Sequence, residues 1–255
     1  MLITTAAYFE NVSEKCSKML KTMYILPLLL GALFPQNGTS AENPDNFSLL
    51  REQMVREQIE RRGVSDERVL SAMRTVPRHL FVPDNYTSLA YTDSPLPIGE
   101  NQTISQPYIV AYMTEALELK KTDKILEIGT GSGYQAAVLA EIAGEVYTIE
   151  LIPVLGNRAS KLLDDLEYDN IHVRVGDGYK GWPDKAPFDA VIVTCAPEDV
   201  PEALVRQLRE GGKMIIPVGG RYLTQKLILG VKKNGKLLQE DVMRVRFVPM
   251  VEVED

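Results

Sequence analysis

In "ILEIGTGSGYQAAVLA", residues 125–140, glycine recurs at every second position as Gly129, Gly131 and Gly133, and Glu127 stands two residues ahead of the first. Glycine tolerates positive φ and lets backbone lie close against a ligand. Such a run between an apolar strand and a helix suits a nucleotide-containing ligand. The spacing is E-x-G-x-G-x-G. A dinucleotide pyrophosphate loop is spaced G-x-G-x-x-G, and Tyr134 occupies the position its last glycine needs, which argues against NAD. Glu150 ends "EVYTIE" about 20 residues further on, where a carboxylate can accept from two ribose hydroxyls; it reads equally as a polar residue at a strand end. Asp177 and Gly178 in "VGDGYKGW" are either a ligand-facing pair or a plain Asp-Gly turn. Ser105 in "TISQP" has a hydroxyl able to donate to a carboxylate oxygen. It also precedes Pro107 and the helical pattern Val110, Met113, Leu117, so it suits a helix N-cap. Cysteine occurs only at positions 16 and 195 and histidine only at 79 and 172. No disulfide framework, zinc-ligand spacing or histidine metal cluster can be assembled from these, and no metal is expected.

These residues need a scaffold, and the periodicity of the sequence describes one. From residue 124, "KILEIG", "EVYTIE", "IHVRVG", "DAVIVT" and "KMIIPVG" read as strands, separated by helices at "YQAAVLAEIA", "PVLGNRASKLLDDL" and "PEALVRQL". Continuous apolar strands alternating with helices imply a parallel sheet covered on both faces. "TQKLILGVKK" and "EDVMRVRFVPMV", separated by Asn-Gly, form an antiparallel hairpin. The expected fold is therefore α/β: a doubly wound, mostly parallel seven-stranded sheet closed by a C-terminal hairpin. Upstream, helical spacing in "NFSLLREQMVREQIERRG" stops at Gly63, and a second helix follows with Ser65 as N-cap. The proline-bearing segment 77–102 reads as irregular.

Hydrophobic residues make up 45% of the 255, enough for a sizeable core, and 28 basic against 35 acidic residues give a net charge of −7. That balance offers no general attraction for phosphate backbones, so nucleic acid is not an expected partner. "MLKTMYILPLLLGALFPQNGTSA", from Met19, has a Lys-bearing start, an apolar run too short to span a bilayer, and small residues Thr39 and Ala41 before Glu42. This is the pattern of a secretory signal peptide. A start of translation at Met54 and a loosely ordered extension are the alternatives. Residues 1–44 are set apart as this extension. Residues 45–255 form a single domain, with 45–120 the helical, acceptor-facing part and 121–255 the cofactor-binding sheet.

The loop, Glu150 and Asp177–Gly178, in this order and spacing, resemble the motifs of class I S-adenosylmethionine-dependent methyltransferases, with their Rossmann-like fold. "VPRHLFVP", "LPIGENQTISQPYIVAYMTEALEL", "EIGTGSGYQAAVLA", "GDGYKGWPDKAPFDAVIVTCAP" and "RVRFVPMV" together resemble the protein-L-isoaspartate O-methyltransferases over about residues 50–251. The resemblance implies methylation, by S-adenosylmethionine, of the α-carboxylate of L-isoaspartyl residues in damaged proteins and peptides. The ester recloses to a succinimide, part of which opens to normal aspartate. It further implies Glu127, Gly129, Gly131, Gly133, Glu150, Asp177 and Gly178 at the cofactor, and Ser105 as the active-site serine. Thr103 and Ile104 would shape the acceptor pocket, and the "RFVP" strand would offer it backbone groups around Phe247 and Val248. A monomer without stable membrane association is expected. Consumption of S-adenosylmethionine points to the cytoplasm, against the signal-like segment. A methyltransferase with a small-molecule acceptor is the rival reading; "TCAP" after the fourth strand, in place of an N-P-P-Y stretch, argues against methylation of a base or amide nitrogen.

Overall fold

The computed structural model describes residues 44–220 and 223–252; the signal-like segment lies outside them. Seven strands form the main sheet: β3 (Lys124–Ile128), β4 (Glu145–Glu150), β5 (Ile171–Val175), β6 (Phe188–Val193), β7 (Leu208–Val218), β8 (Gln225–Lys233) and β9 (Lys236–Val245). Their order is β5-β4-β3-β6-β7-β8-β9, parallel through β7 and antiparallel beyond. A short hairpin, β1 (Leu96–Gly99) and β2 (Gln102–Ile104), forms a separate sheet.

Strand alternation explains the continuous apolar runs. Ile125, Val146, Ala190, Ile192 and Ile215 face one buried cluster, while Leu126, Tyr147, Val191, Val193 and Met214 face another. Neighbouring residues on a strand point to opposite faces, so both faces must be apolar when both are covered. The first cluster contains residues of α2 (Glu67–Thr75), α3 (Pro107–Ala116), α4 (Tyr134–Ala140) and α5 (Pro153–Asp165); the second takes Leu204 from α6 (Glu202–Gln207).

Four local expectations change. The first helix, α1 (Pro44–Met54), widens into a π-helical turn at Val55–Ile59 and tightens into a 3₁₀ turn at Glu60–Arg62 before stopping at Gly63, φ 99°. The N-cap of α2 is Asp66, whose carboxylate accepts from Arg68 N, because the Ser65 and Asp66 amides are both taken by Glu115 Oε1 at 2.6 and 2.7 Å. Segment 77–102 contains 3₁₀ turns at Arg78–Phe81 and Asp84–Leu89 and the start of the β1–β2 hairpin, whose turn holds Glu100 and Asn101 at φ 51° and 55°. Strand β9 ends at Val245, so "RFVP" does not continue it. Instead the backbone crosses toward the end of β6, where Ala196 N donates to Val248 O and Met250 N to Ala196 O, each at 2.8 Å.

Candidate active site

Strand order reverses at β3: the chain runs outward through β4 and β5, then returns to place β6 on the other side. The loops leaving neighbouring strands in opposite directions open a crevice at the strands' carboxyl ends. A cleft of about 860 Å³, open mouth included, lies there. One wall is the loop after β3. Gly129, Gly131 and Gly133 have φ of 98°, 55° and 89°, values that side-chain-bearing residues avoid. Gly129 has a second reason to be glycine, since a Cβ there would lie 2.5 Å from Thr194 Oγ1. That hydroxyl donates to Gly129 O at 2.7 Å, tying the loop to the end of β6.

Glu150, at the end of β4, also lines the cleft. Its Oε2 accepts from Gly131 N at 2.7 Å and its Oε1 from Ile152 N at 3.0 Å. One carboxylate thus pins the loop, and each oxygen keeps a further lone-pair site for a hydroxyl of a bound ligand. Gly178 closes the far side, where a Cβ would lie 2.4 Å from Ile128 Cγ2 and 3.2 Å from Met250 Cε. Thr103, Ile104, Ser105 and Val248 complete the wall.

A second cleft adjoins the first, and Thr103, Ser105, Thr194 and Val248 line both. Phe247, Arg244 and Arg246 belong to the second alone. Ser105 is not a helix cap. The N-cap of α3 is Gln106, and Asp93 serves that end of the helix, accepting from Tyr108 N at 3.2 Å and Gln106 Nε2 at 2.7 Å. The Ser105 hydroxyl makes no hydrogen bond to any described residue.

Three expected cofactor residues stand off the cleft. Gly133 packs against α5, where a Cβ would meet Leu163 Cδ1 at 3.3 Å and Ala159 Cβ at 3.4 Å, so its lack of a side chain lets α4 and α5 pack closely. Asp177 turns its Oδ1 to Tyr179 N at 2.9 Å, capping a 3₁₀ turn. Glu127 lies fully buried on β3, and neither carboxylate oxygen has a hydrogen-bond partner. Burial pushes its pKa up to about 8, the Thr148 hydroxyl beside it opposes that shift, and the neighbouring Glu150 charge adds to it.

Phe247 also departs from expectation. The Gln225 side group, itself buried, accepts from Phe247 N at 2.8 Å and donates to Phe247 O at 3.3 Å, so this backbone is already engaged. Trp182 stays outside the cleft, edge-on to Tyr147 with Arg174 Cζ 4.4 Å from its ring centre. Cys195 lines the cleft, but burial pushes its thiol up to about 12, which leaves no thiolate nucleophile at neutral pH.

Thr194, Ser132, Tyr134 and Met250 on the first cleft, and Arg244 and Arg246 on the second, were not expected. Thr194 had a sequence signal, since it follows the apolar run of β6 immediately. Tyr134 is held through its ring by the buried Arg78, whose Cζ lies 4.8 Å from the ring centre and whose Nε donates to Ala90 O. Nothing in the sequence signals Gln225, because its partner comes from beyond β9.

A family model described as protein-L-isoaspartate(D-aspartate) O-methyltransferase matches residues 50–255. The chain is 57% identical over 199 residues to a protein-L-isoaspartate O-methyltransferase of Opitutus terrae, covering 78% of this chain and 85% of that one. It is 52% identical over 221 residues to protein-L-isoaspartate O-methyltransferase 2 of Shewanella sediminis, covering 86% and 91%. A solved protein-L-isoaspartate O-methyltransferase superposes with a TM-score of 0.73 at 31% identity, covering 78% of this chain and 65% of that one. A putative Plasmodium falciparum protein-L-isoaspartate O-methyltransferase, solved with S-adenosyl-L-homocysteine, superposes at 0.68 with 27% identity, covering 79% and 98%. Motif order, strand order and these matches over most of each chain agree, and the chain belongs to the protein-L-isoaspartate(D-aspartate) O-methyltransferase family.

Proposed function

We propose that Ser105 holds the acceptor carboxylate where the two clefts meet, with S-adenosylmethionine in the first cleft and the damaged peptide in the second. The activity is transfer of the methyl group of S-adenosylmethionine to the α-carboxylate of L-isoaspartyl residues, which initiates their repair. The observation that carries the assignment to Ser105 is its uncommitted hydroxyl on the wall shared by both clefts.

When bound, S-adenosylmethionine supplies both the electrophilic methyl group and its leaving group. The acceptor carboxyl, with an ordinary pKa of about 3.9, is already ionised near neutrality and needs no general base. The protein's own task is orientation, which can lower a barrier by roughly 7–11 kcal/mol. Ser105 donates to one carboxylate oxygen and leaves the other free to attack. Glu150 accepts from ribose hydroxyls while holding Gly131 in place. Glu127, protonated at neutral pH in the free protein, gives up its proton when the cationic ligand binds, and Thr103, Ile104 and Val248 wall off water. Gly178, with no side chain to collide with Ile128, closes the far side. Gly133 and Asp177 act indirectly, by seating α4 and the turn after β5.

The test uses two synthetic peptides, identical except for isoaspartyl or normal aspartyl at one position, and labelled S-adenosylmethionine. Base-labile label should enter the isoaspartyl peptide alone. Ser105→Ala should lower kcat/KM about 10- to 100-fold, the range for a hydrogen bond to a charged group. Its stability should stay within about 0.5 kcal/mol of wild type, because Asp93 and not Ser105 caps α3. Cofactor binding without transfer to either peptide would favour the small-molecule acceptor instead.

Acceptor preference follows from the second cleft. Arg244 and Arg246 are exposed on it, with no carboxylate partner among the described residues. Isoaspartyl peptides with neighbouring acidic residues should have KM lowered up to about fivefold, an advantage lost in about 1 M salt or in Arg246→Glu. Equal KM for acidic and neutral peptides at low salt would rule this preference out.

No helix among the described residues is long and apolar enough to cross a membrane. We place the enzyme in the cytoplasm, where its cofactor is made, and read it as a monomer. A mature N-terminus at Glu42 in an exported fraction would move it elsewhere.

A further inference from the structure

This protein bears the dipeptide most prone to form isoaspartate at its own surface, in the turn between β8 and β9. Asn-Gly is labile because glycine offers no side group to hinder ring closure. The Gly235 nitrogen attacks Asn234 Cγ, the new N–C bond forms as the Cγ–Nδ2 bond breaks, and ammonia leaves with the displaced amide proton. Water then opens the succinimide to aspartyl or isoaspartyl. Asn234 and Gly235 are both exposed, so sequence and accessibility together mark the site as fast.

Its geometry indicates the opposite. Lys233 pairs with Lys236, leaving Asn234 and Gly235 as a two-residue turn with φ of 53° and 75°. Both values are positive, as the tight hairpin turn requires. Glu210, at the start of β7, reaches this turn with both carboxylate oxygens. Oε1 accepts from Gly235 N at 2.7 Å and Oε2 from Asn234 N at 2.9 Å.

We propose that Asn234–Gly235 is a latent isoaspartate site that the Glu210 carboxylate holds shut. The attacking nitrogen must lose its proton, yet that proton is donated to an anion, beside which a nitrogen anion is disfavoured. The nitrogen must also turn toward Asn234 Cγ, which breaks the bond to Glu210 and unpairs Lys233 from Lys236. Protection has a structural use. An isoaspartyl residue adds a methylene to the backbone, which a two-residue turn cannot absorb without disturbing β9. That strand leads directly into Phe247 and Val248 of the acceptor cleft.

The test is peptide mapping by mass spectrometry of the full-length protein aged in warm, mildly alkaline buffer, with the same protein in urea as the unclamped reference. Conversion at Asn234 in the folded wild type should be roughly 10- to 100-fold slower than in urea. Glu210→Ala should recover most of that difference, and Glu210→Gln, which keeps one acceptor oxygen but no charge, should lie between. Both variants should retain the wild-type circular dichroism spectrum, since Glu210 is exposed. Wild type converting as fast folded as in urea would overturn the proposal. So would a Glu210→Ala rate equal to or below that of wild type, the latter because it would make the carboxylate a base and not a clamp. None of these readouts depends on methyl transfer, so the result stands apart from the assignment of Ser105.

Discussion

Replacing Gly129 by alanine is expected to abolish useful cofactor binding and to destabilise the fold at once. The new Cβ would meet Thr194 Oγ1 at 2.5 Å, and that oxygen cannot easily give way, because it bonds Gly129 O at 2.7 Å and Ile128 O at 3.1 Å. The backbone would in addition be held at φ 98°, a strain of about 1–3 kcal/mol for a residue with a Cβ. The loop must then leave its position between β3 and β6, and a shift of about 1 Å in such a site can cost about 100-fold in rate. Thermal unfolding should fall by about 5–10 °C, from a loss of roughly 2–3 kcal/mol. The informative control is Gly133→Ala, with φ 89° but lying against Ala159 and Leu163. It should lose comparable stability and retain cofactor affinity to within a few fold. Calorimetric titration with S-adenosylhomocysteine, alongside a thermal melt, separates the two. Equal loss of affinity in both variants would mean that the loop acts as one rigid unit and that Gly129 has no separate role at the ligand.

Glu127→Gln should make the free protein more stable and the cofactor bind more weakly. Burial raises the Glu127 pKa from 4.5 to about 8. Between those values the folded protein keeps a proton that the unfolded protein releases, so the native state binds more protons and its stability declines as pH rises. The slope from this group is at most about 1.4 kcal/mol per pH unit, present above pH 4.5 and exhausted above pH 8. Glutamine has nothing to titrate. The difference in stability between variant and wild type should therefore grow across this range to about 2–4 kcal/mol in favour of the variant. Binding should show the opposite sign: in wild type a cationic ligand draws the proton off Glu127, so affinity rises toward pH 8, whereas the variant should bind weakly and with little pH dependence. Urea denaturation and titration calorimetry at about pH 5, 6.5 and 8 measure both. A variant with the wild-type pH slope in stability would show that Glu127 does not carry the buried proton.

Much of this molecule was legible in its sequence. The seven strands of the sheet, the parallel-to-antiparallel switch, the loop at Gly129 and Gly131, and the positions of Glu150, Gly178 and Ser105 on one cleft follow from local pattern and from the rule that ligands lie at strand carboxyl ends. Each depends on residues close together in the sequence, or on an order of elements that few topologies satisfy. What local pattern could not resolve was the division of labour among neighbours. Gly133 and Gly129 share a motif and a positive φ, but one faces α5 and the other Thr194. Asp177 and Gly178 are adjacent, yet the first caps a turn and the second lines the cleft. Ser105 has the sequence of an N-cap and loses the role to Asp93, a residue 12 positions earlier.

Local pattern alone was enough to specify the periodicity of strands and helices and the glycines that only an unusual backbone can require. Packing between distant segments sets which polar groups are left with unused hydrogen-bonding capacity. Glu127 is buried away from any charge partner, Ser105 is uncommitted, Phe247 is engaged by Gln225, and Gly235 is held by Glu210. Whether a polar group is free to act depends on which partner reaches it first, and that partner comes from whichever distant segment the packing brings within about 3 Å.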